Sequence, residues 1–208
     1  MEDKSAVIAE VCAALTGNQS AVAADILTDR YPFVPLVNVG RRYSVRQAHN
    51  VFVRDGFVDR YSGTRLVFPA TLRLISKRLP EQFPFHRNGR FDLCHFGFWE
   101  LFPTIDHLVP VARGGADDQA KWITTSMVRN AAKGVLTLGE LGWSLWPPGD
   151  VHAWDGLAGW FVEQATADRT ILVDVYFRQW FAAATQPRPL LPCEPGPCSP
   201  GAHWTRRR

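Results

Sequence analysis

Apolar residues recur at helical spacing towards both ends of the chain. Such positions, every three to four residues, predict amphipathic helices because they line up on one helix face. Four segments have this pattern: 5–16, 20–30, 154–167 and 170–184. A fifth helix is predicted from Ser44, a suitable N-cap, to about Arg54. The ends of the chain are therefore expected to be helical.

The stretch between these helices has a more varied pattern. Residues 59–68 predict a turn that leads into a short strand, and residues 70–79 predict a basic amphipathic helix. Residues 80–103 are rich in Pro, Phe and His and show no periodicity that assigns them.

From 104 to 134 the pattern predicts strand, loop, strand and helix in that order. Thr104–Val109 and Trp122–Thr125 are predicted strands, and 113–118 is a Gly- and Asp-rich loop. Ser126 is placed to cap a helix that ends near Lys133. The expected fold class is α+β, with this strand–loop–strand–helix segment embedded in a mostly helical single domain.

Composition indicates a globular protein with one unusual end. The chain has 208 residues, of which 46% are hydrophobic, and no apolar run approaches the length of a membrane span. The first residues lack a signal-peptide pattern, so a soluble, cytoplasmic protein with no membrane partner is expected. Three segments are predicted: an N-terminal helical segment over 1–40, a main domain over 41–185, and a Pro-rich basic tail over 186–208 that is expected to be disordered.

The net charge of +3 conceals a strong asymmetry along the chain. Residues 41–90 carry 11 basic and 3 acidic side chains, whereas residues 91–150 carry 4 basic and 7 acidic ones. A phosphate-binding surface beside a metal site would give this pattern, and so would an ordinary solvated basic face.

Four polar residues in the strand–loop–strand–helix segment have side chains suited to phosphate chemistry. Asp106 and His107 are adjacent in the first strand and could converge on one substrate at a strand end or bulge, while Asn130 and Lys133 lie one turn apart on the helix. Oxygen ligands from Asp and Asn suit a hard cation such as Mg²⁺, and a histidine beside it can act as a general base for water.

These residues, with the Gly114-Gly115 loop between them, resemble the motif of the HNH endonucleases, the ββα-metal nucleases. The spacing is 14 residues from His107 to the middle position and 9 more to Asn130. The resemblance implies a ββα-metal finger that hydrolyses DNA phosphodiester bonds, with His107 as general base. Asp106 and Asn130 would hold one divalent metal, with Mg²⁺ expected and Mn²⁺ or Zn²⁺ as alternatives.

The same resemblance implies a set of cationic DNA contacts. Within and beside the motif these are Lys133, Arg129, Lys121 and Arg113, and on the basic helix they are Arg73, Lys77 and Arg78. Contacts of this kind would bind the phosphate backbone without reading sequence.

The chain departs from the family's pattern in two ways. Lys121 stands at the middle position, where the family has an asparagine that ties down the loop, and Asp117 or Asp118 could replace it there. The two CxxC zinc pairs that many members carry are missing, so the finger is expected to be held by packing. Four aromatic residues are available for this: Trp99, Phe102, Trp122 and Trp143.

Other interpretations stay open at this point. His86, Cys94 and His95 could form a second metal site with Glu100, or they could be ordinary polar residues around an aromatic core. The finger could also be a catalytically impaired module that binds nucleic acid without cutting it, as Lys121 suggests. A third possibility is a protein-interaction module in which the aromatic C-terminal half docks a partner.

Overall fold

A computed structural model of the chain describes residues 2–33 and 43–186. Most of the predicted tail, from residue 187 onward, lies outside the described residues. Across the described ranges, no helix is both long and apolar enough to cross a membrane. The described part combines nine α-helices with one two-stranded antiparallel sheet, so the predicted α+β class is confirmed.

The helices and strands have the following order and bounds: α1 Lys4–Thr16, α2 Ser20–Arg30, α3 Val45–Arg54, α4 Pro69–Arg78, α5 Gly97–Leu101, β1 Pro103–His107, β2 Trp122–Ser126, α6 Met127–Lys133, α7 Leu138–Leu141, α8 Ala158–Ala167 and α9 Val175–Thr185. Short 3₁₀ turns cover Val111–Arg113, Gln119–Lys121 and Arg169–Val173. The predicted helices over 5–16 and 20–30 and the Ser44-capped helix are confirmed within one residue.

Three sequence predictions differ from the structure for local reasons. The helix predicted from 154 begins at Ala158, because the Asp155 carboxylate accepts hydrogen bonds from the backbone N–H groups of Leu157 and Gly159 and closes a turn there. The helix predicted over 170–184 is split at Asp174, whose side chain caps the N-terminus of α9. The short strand expected before residue 69 is reduced to a single bridge between Val58 and Arg65.

The described residues fall into two compact units. Those in 1–42, 106–122 and 133–143 form the first unit, and those in 43–105, 123–132 and 144–186 form the second. β1, β2 and α6 each have residues in both.

The first unit contains the α1–α2 hairpin. Val11 and Ala14 of α1 are buried against Ala23 of α2, and two partly buried residues of α2, Ile26 and Leu27, pack on the same cluster. Burial of this apolar surface stabilises the hairpin.

The second unit is built around an aromatic core. Phe68 is fully buried and lies in edge-to-face contact with Trp180 of α9 and Phe57, while a tilted contact joins it to Phe161 of α8. The residues of this core thus join the segment before α4 to the two C-terminal helices. His49 is also buried here, with its ring edge-on to Phe68, which agrees with a structural role.

Two fully buried carboxylates hold the edge of β2 that faces away from β1. Asp55 accepts a hydrogen bond from the backbone N–H of Thr124 at 2.7 Å, and Asp59 accepts one from the N–H of Ser126 at 2.9 Å. The charge of Asp55 is balanced by Arg54 and Arg60, whose nitrogens lie 3.0 and 3.1 Å from its Oδ1. On this edge of β2 the two carboxylates accept hydrogen bonds from backbone N–H groups that a further strand would otherwise bind. Ser126, which donates to Asp59, directly precedes α6.

Candidate active site

Asp106 and His107 are the last two residues of β1, and both are buried, with 2% of their surface exposed. Consecutive side chains of a strand point in opposite directions. Accordingly the two residues have different partners, all of which lie in the first unit together with them.

The Nε2 side of the His107 imidazole contacts two neighbouring side chains. Its Nε2 lies 2.7 Å from Asp117 Oδ1, and the indole Nε1 of Trp122 lies 2.9 Å from the same Nε2. Trp122 Nε1 is also 3.0 Å from Asp117 Oδ1, so the three groups form a closed triangle. The other ring nitrogen, Nδ1, is buried and has no hydrogen-bond partner among the described residues.

Asp106 forms a buried ion pair with Lys133, the last residue of α6. The distance from Lys133 Nζ to Asp106 Oδ2 is 2.9 Å, and the ammonium also donates to the backbone carbonyl of His107 at 3.0 Å. The side chain of Lys133 is fully buried, which differs from the solvent-facing position that a phosphate contact needs. The ammonium therefore compensates the charge of Asp106 and fixes the end of β1.

Asn130 lies on α6 in the second unit, where its amide nitrogen donates to Thr104 Oγ1 at 3.0 Å and to the carbonyl of Ile105 at 3.2 Å. Ser126 caps this helix as predicted, since its Oγ accepts from the backbone N–H of Arg129. Because the nitrogen of Asn130 is engaged with β1, its amide oxygen is the atom left to accept a bond or to ligate a cation.

The Gly114-Gly115 loop turns the chain between the strands. Gly114 has a φ of +84°, in the left-handed region that glycine adopts without strain. Gly115 is needed for space, because a Cβ there would lie 1.9 Å from the carbonyl oxygen of Val109. Within this loop Asp118 accepts from the N–H of Ala120 and caps a 3₁₀ turn.

The remaining predicted cations of the first unit are on the surface. Arg113 pairs with Glu140 at 2.8 Å, and Lys121 is exposed. Hydrogen bonds from Thr137 and the guanidinium of Arg113 lower the pKa of Glu140 to about 2, so this carboxylate stays charged at neutral pH and balances Arg113.

The predicted cations of the second unit are mainly on α4. Lys77 and Arg78 are exposed, and Arg78 donates to Gln164 at 2.8 Å. Arg73 is half-buried, with its guanidinium 3.5 Å from the centre of the Phe85 ring. Arg129 of α6 is exposed.

The residues suggested as a second metal site make separate local contacts. Cys94 is buried in an apolar cluster, His95 accepts from the N–H of Gly97, and His86 accepts from the N–H of Asn88. Throughout 2–33 and 43–186, no group of three or more His, Cys, Asp or Glu residues could hold a metal ion.

The aromatic residues expected to support the finger have separate roles. Trp122 is buried against His107, and Phe102 packs on the apolar cluster of α4 and α5. Trp99 stacks on Phe91 with ring centroids 4.0 Å apart. Trp143 is half-buried in the first unit.

Two features of the site were not predicted from the sequence. One is the contact of Asp117 with His107, for which the sequence suggested only a general role in tying the loop. The other is the support of β2 by Asp55 and Asp59. Two aspartates four residues apart, just after a helix and among mostly apolar residues, were the available signal.

No family model, curated protein sequence or solved structure matches this chain. The assignment of function therefore rests on the side chains described above.

Proposed function

We propose that the chain is a metal-dependent endonuclease of the HNH type, which hydrolyses DNA phosphodiester bonds with His107 as general base. The observation that carries this proposal is the hydrogen bonding of the His107 ring. It lies at the end of β1 with Nε2 engaged by Asp117 and with a buried Nδ1 that has no partner among the described residues. Burying a polar atom without a partner costs free energy and needs an explanation. Trp99 Nε1 and Tyr176 Oη share this condition, but among the three only the imidazole nitrogen can take up a proton near neutral pH, so a catalytic role is the explanation proposed here.

The reaction assigned to His107 is the removal of a proton from water. For this step the bound substrate must bring a water to Nδ1, which is buried. Nδ1 would accept the proton while the water oxygen forms a bond to phosphorus, and the bond from phosphorus to the 3′ oxygen breaks. A general base of this kind usually contributes about 10²–10⁴-fold to a rate. The carboxylate of Asp117 would stabilise the positive charge that develops on the ring.

The donor set is compatible with the divalent metal that the HNH resemblance implies. Asp106 offers a carboxylate and Asn130 an amide oxygen, and Mg²⁺ is commonly bound by one or two such groups together with water and substrate phosphate. When bound, the metal would supply charge stabilisation to the phosphate and to the leaving 3′ oxygen. The pairing of these two residues as ligands comes from their order in the chain, because they belong to different units.

The proposed DNA contacts are the exposed cations. Lys77 and Arg78 of α4 and Arg129 of α6 present charged groups at the surface of the second unit, and Lys121 does so in the first. Such contacts release counterions from DNA, so binding should weaken steeply with salt.

Nicking of supercoiled plasmid in the presence of Mg²⁺ or Mn²⁺ tests the proposal. The wild-type chain should convert supercoiled to open-circular DNA, and His107→Ala should lower the rate by about 10²–10⁴-fold. His152→Ala is the matched control, since His152 is exposed and its side chain makes no hydrogen bond in the described part of the chain. Equal nicking by the His107 variant and the control would refute the role of His107.

A second candidate is a finger that binds nucleic acid without cutting it. The buried pairing of Asp106 with Lys133 favours this alternative, because the ammonium already compensates the carboxylate that the metal would need. Salt-sensitive DNA binding that is unchanged by chelator, with no nicking at any metal concentration, would support this candidate over the enzyme.

A further inference from the structure

We propose that Asp117 is a positioning residue that sets the tautomer of His107, holding the proton on Nε2 so that Nδ1 keeps its lone pair. This proposal rests on the assignment of His107 as general base, and it names the group that prepares the base for its task. It concerns a loop residue ten positions beyond the histidine, outside the set that the motif supplies.

In the triangle of Asp117, His107 and Trp122 the indole N–H lies within hydrogen-bond distance of both Asp117 Oδ1 and His107 Nε2, and the ionised carboxylate favours the proton on Nε2. An indole Nε1 is always a donor and an ionised carboxylate only accepts. With the proton on Nε2, both the imidazole and the indole donate to Asp117 Oδ1, over 2.7 and 3.0 Å. With Nε2 unprotonated, its lone pair would face the carboxylate oxygen at 2.7 Å, which is repulsive.

The same arrangement accounts for Nδ1. In a neutral imidazole one nitrogen donates and the other accepts, so a proton on Nε2 makes Nδ1 the basic nitrogen. Nδ1 has no partner within the described residues and is buried, so no neighbouring group there competes for its lone pair. The carboxylate thus selects the form of the ring that can take a proton from water.

The position of Trp122 predicts what happens to the imidazole proton when Asp117 is removed. Its indole N–H also points at His107 Nε2, at 2.9 Å. If Asp117 is removed, the indole proton and the Nε2 proton face each other, and this repulsion is relieved when the imidazole proton moves to Nδ1. Asp117→Ala should therefore switch the tautomer, and not merely loosen the ring.

The neighbouring Asp118 provides a matched control. It lies in the same loop with the same charge, and its carboxylate caps a 3₁₀ turn through Ala120. Asp117 has 42% of its side chain exposed, so its replacement by alanine leaves no buried cavity. Both variants should therefore fold.

The experiment is ¹⁵N NMR of the histidine rings in the full chain at about pH 8.5, where an ordinary imidazole is neutral. Long-range ¹H–¹⁵N correlations distinguish a protonated ring nitrogen from a bare one, and the His107 signals are those lost in His107→Gln. We expect Nε2–H in the wild-type chain, Nε2–H in Asp118→Ala and Trp122→Phe, and a shift to Nδ1–H in Asp117→Ala.

Two results would overturn the proposal: an Nδ1–H tautomer in the wild-type chain, or an unchanged Nε2–H tautomer in Asp117→Ala. The NMR result does not depend on DNA cleavage, so it stands whether or not the chain nicks plasmid. If it does, Asp117→Ala should lose about 10²–10⁴-fold in nicking rate, the usual contribution of a general base, while Asp118→Ala keeps the wild-type rate.

Discussion

The ion pair between Asp106 and Lys133 makes the strongest prediction about stability. The two side chains have 3% and 0% of their surface exposed, and their charged atoms are 2.9 Å apart. At an effective dielectric constant of about 20, Coulomb's law gives roughly 6 kcal/mol of attraction at this distance, most of which offsets the desolvation of the two ions. Removing one partner leaves the other charge buried, so Lys133→Met should lower the free energy of unfolding by about 3–5 kcal/mol.

A double-mutant cycle separates the ion pair from other effects of the substitutions. Asp106→Asn should also destabilise the chain, and the double variant should cost about 1–3 kcal/mol less than the sum of the single changes. Urea unfolding followed by both tryptophan fluorescence and circular dichroism would measure this. Lys121→Met, at an exposed lysine of the same unit, is the control and should change stability by no more than about 0.5 kcal/mol. Additive losses, or a Lys133 variant as stable as this control, would refute the reasoning.

Adding Mg²⁺ extends the same experiment to the functional question. If Asp106 is a metal ligand, a dication can take over the role of the missing ammonium, so Mg²⁺ should stabilise Lys133→Met more than it stabilises the wild-type chain. Equal effects of Mg²⁺ on the two proteins would count against Asp106 as a ligand and in favour of the non-cutting alternative.

Two further predictions concern the loop and the support of β2. Gly115→Ala should lower the free energy of unfolding by about 3 kcal/mol, because its Cβ would meet the Val109 carbonyl oxygen at 1.9 Å. Gly114→Ala should lower it by only about 1–2 kcal/mol, through backbone strain. Equal losses of the two variants in urea unfolding would contradict the close approach at Gly115. Asp55→Asn should lower the free energy of unfolding by about 3–5 kcal/mol, since it removes a fully buried charge that faces two arginines and a backbone N–H of β2. A loss below about 1 kcal/mol in urea unfolding would show that this charge is not needed.

The helices were largely predictable because their signals are local. Ser44 and Gln47 form a capping box at the start of α3, and the sequence shows the cap and the apolar face within one short window. The boundary at Asp174 was missed because the apolar positions continue past it. A single capping aspartate starts a new helix there, and hydrophobic spacing alone does not reveal such a break.

The predicted strand before α4 failed for a different reason. The backbone N–H groups of Leu66, Val67 and Phe68 donate to three separate segments, at Phe57, Leu101 and Gly156. The apolar run indicated correctly that these residues are buried. A ladder would need one neighbouring strand, and the tertiary fold supplies three different acceptors instead.

The candidate site was predicted in its residues but not in its contacts. Spacing along the chain singled out Asp106, His107, Asn130 and Lys133. In the first unit Asp106 pairs with Lys133 and His107 contacts Asp117, whereas in the second unit Asn130 donates to Thr104 and Ile105. The sequence could not show that Lys133 is buried, because a lysine on a short helix is equally compatible with solvent. Only the structure shows that its ammonium is directed at Asp106.

The replacement of the motif's middle asparagine by Lys121 argues less strongly against catalysis than its position suggests. The asparagine expected there would tie down the loop, but in this chain the loop is held by other groups. The carbonyl of Lys121 accepts from the N–H of Leu108, and the carbonyl of Pro110 accepts from the N–H of Gly115. These backbone hydrogen bonds close the loop without the side chain at 121. Within the proposed function, the choice between cutting and binding depends on the partner of Asp106: a carboxylate that exchanges Lys133 for a metal supports the nuclease, and one that keeps Lys133 does not.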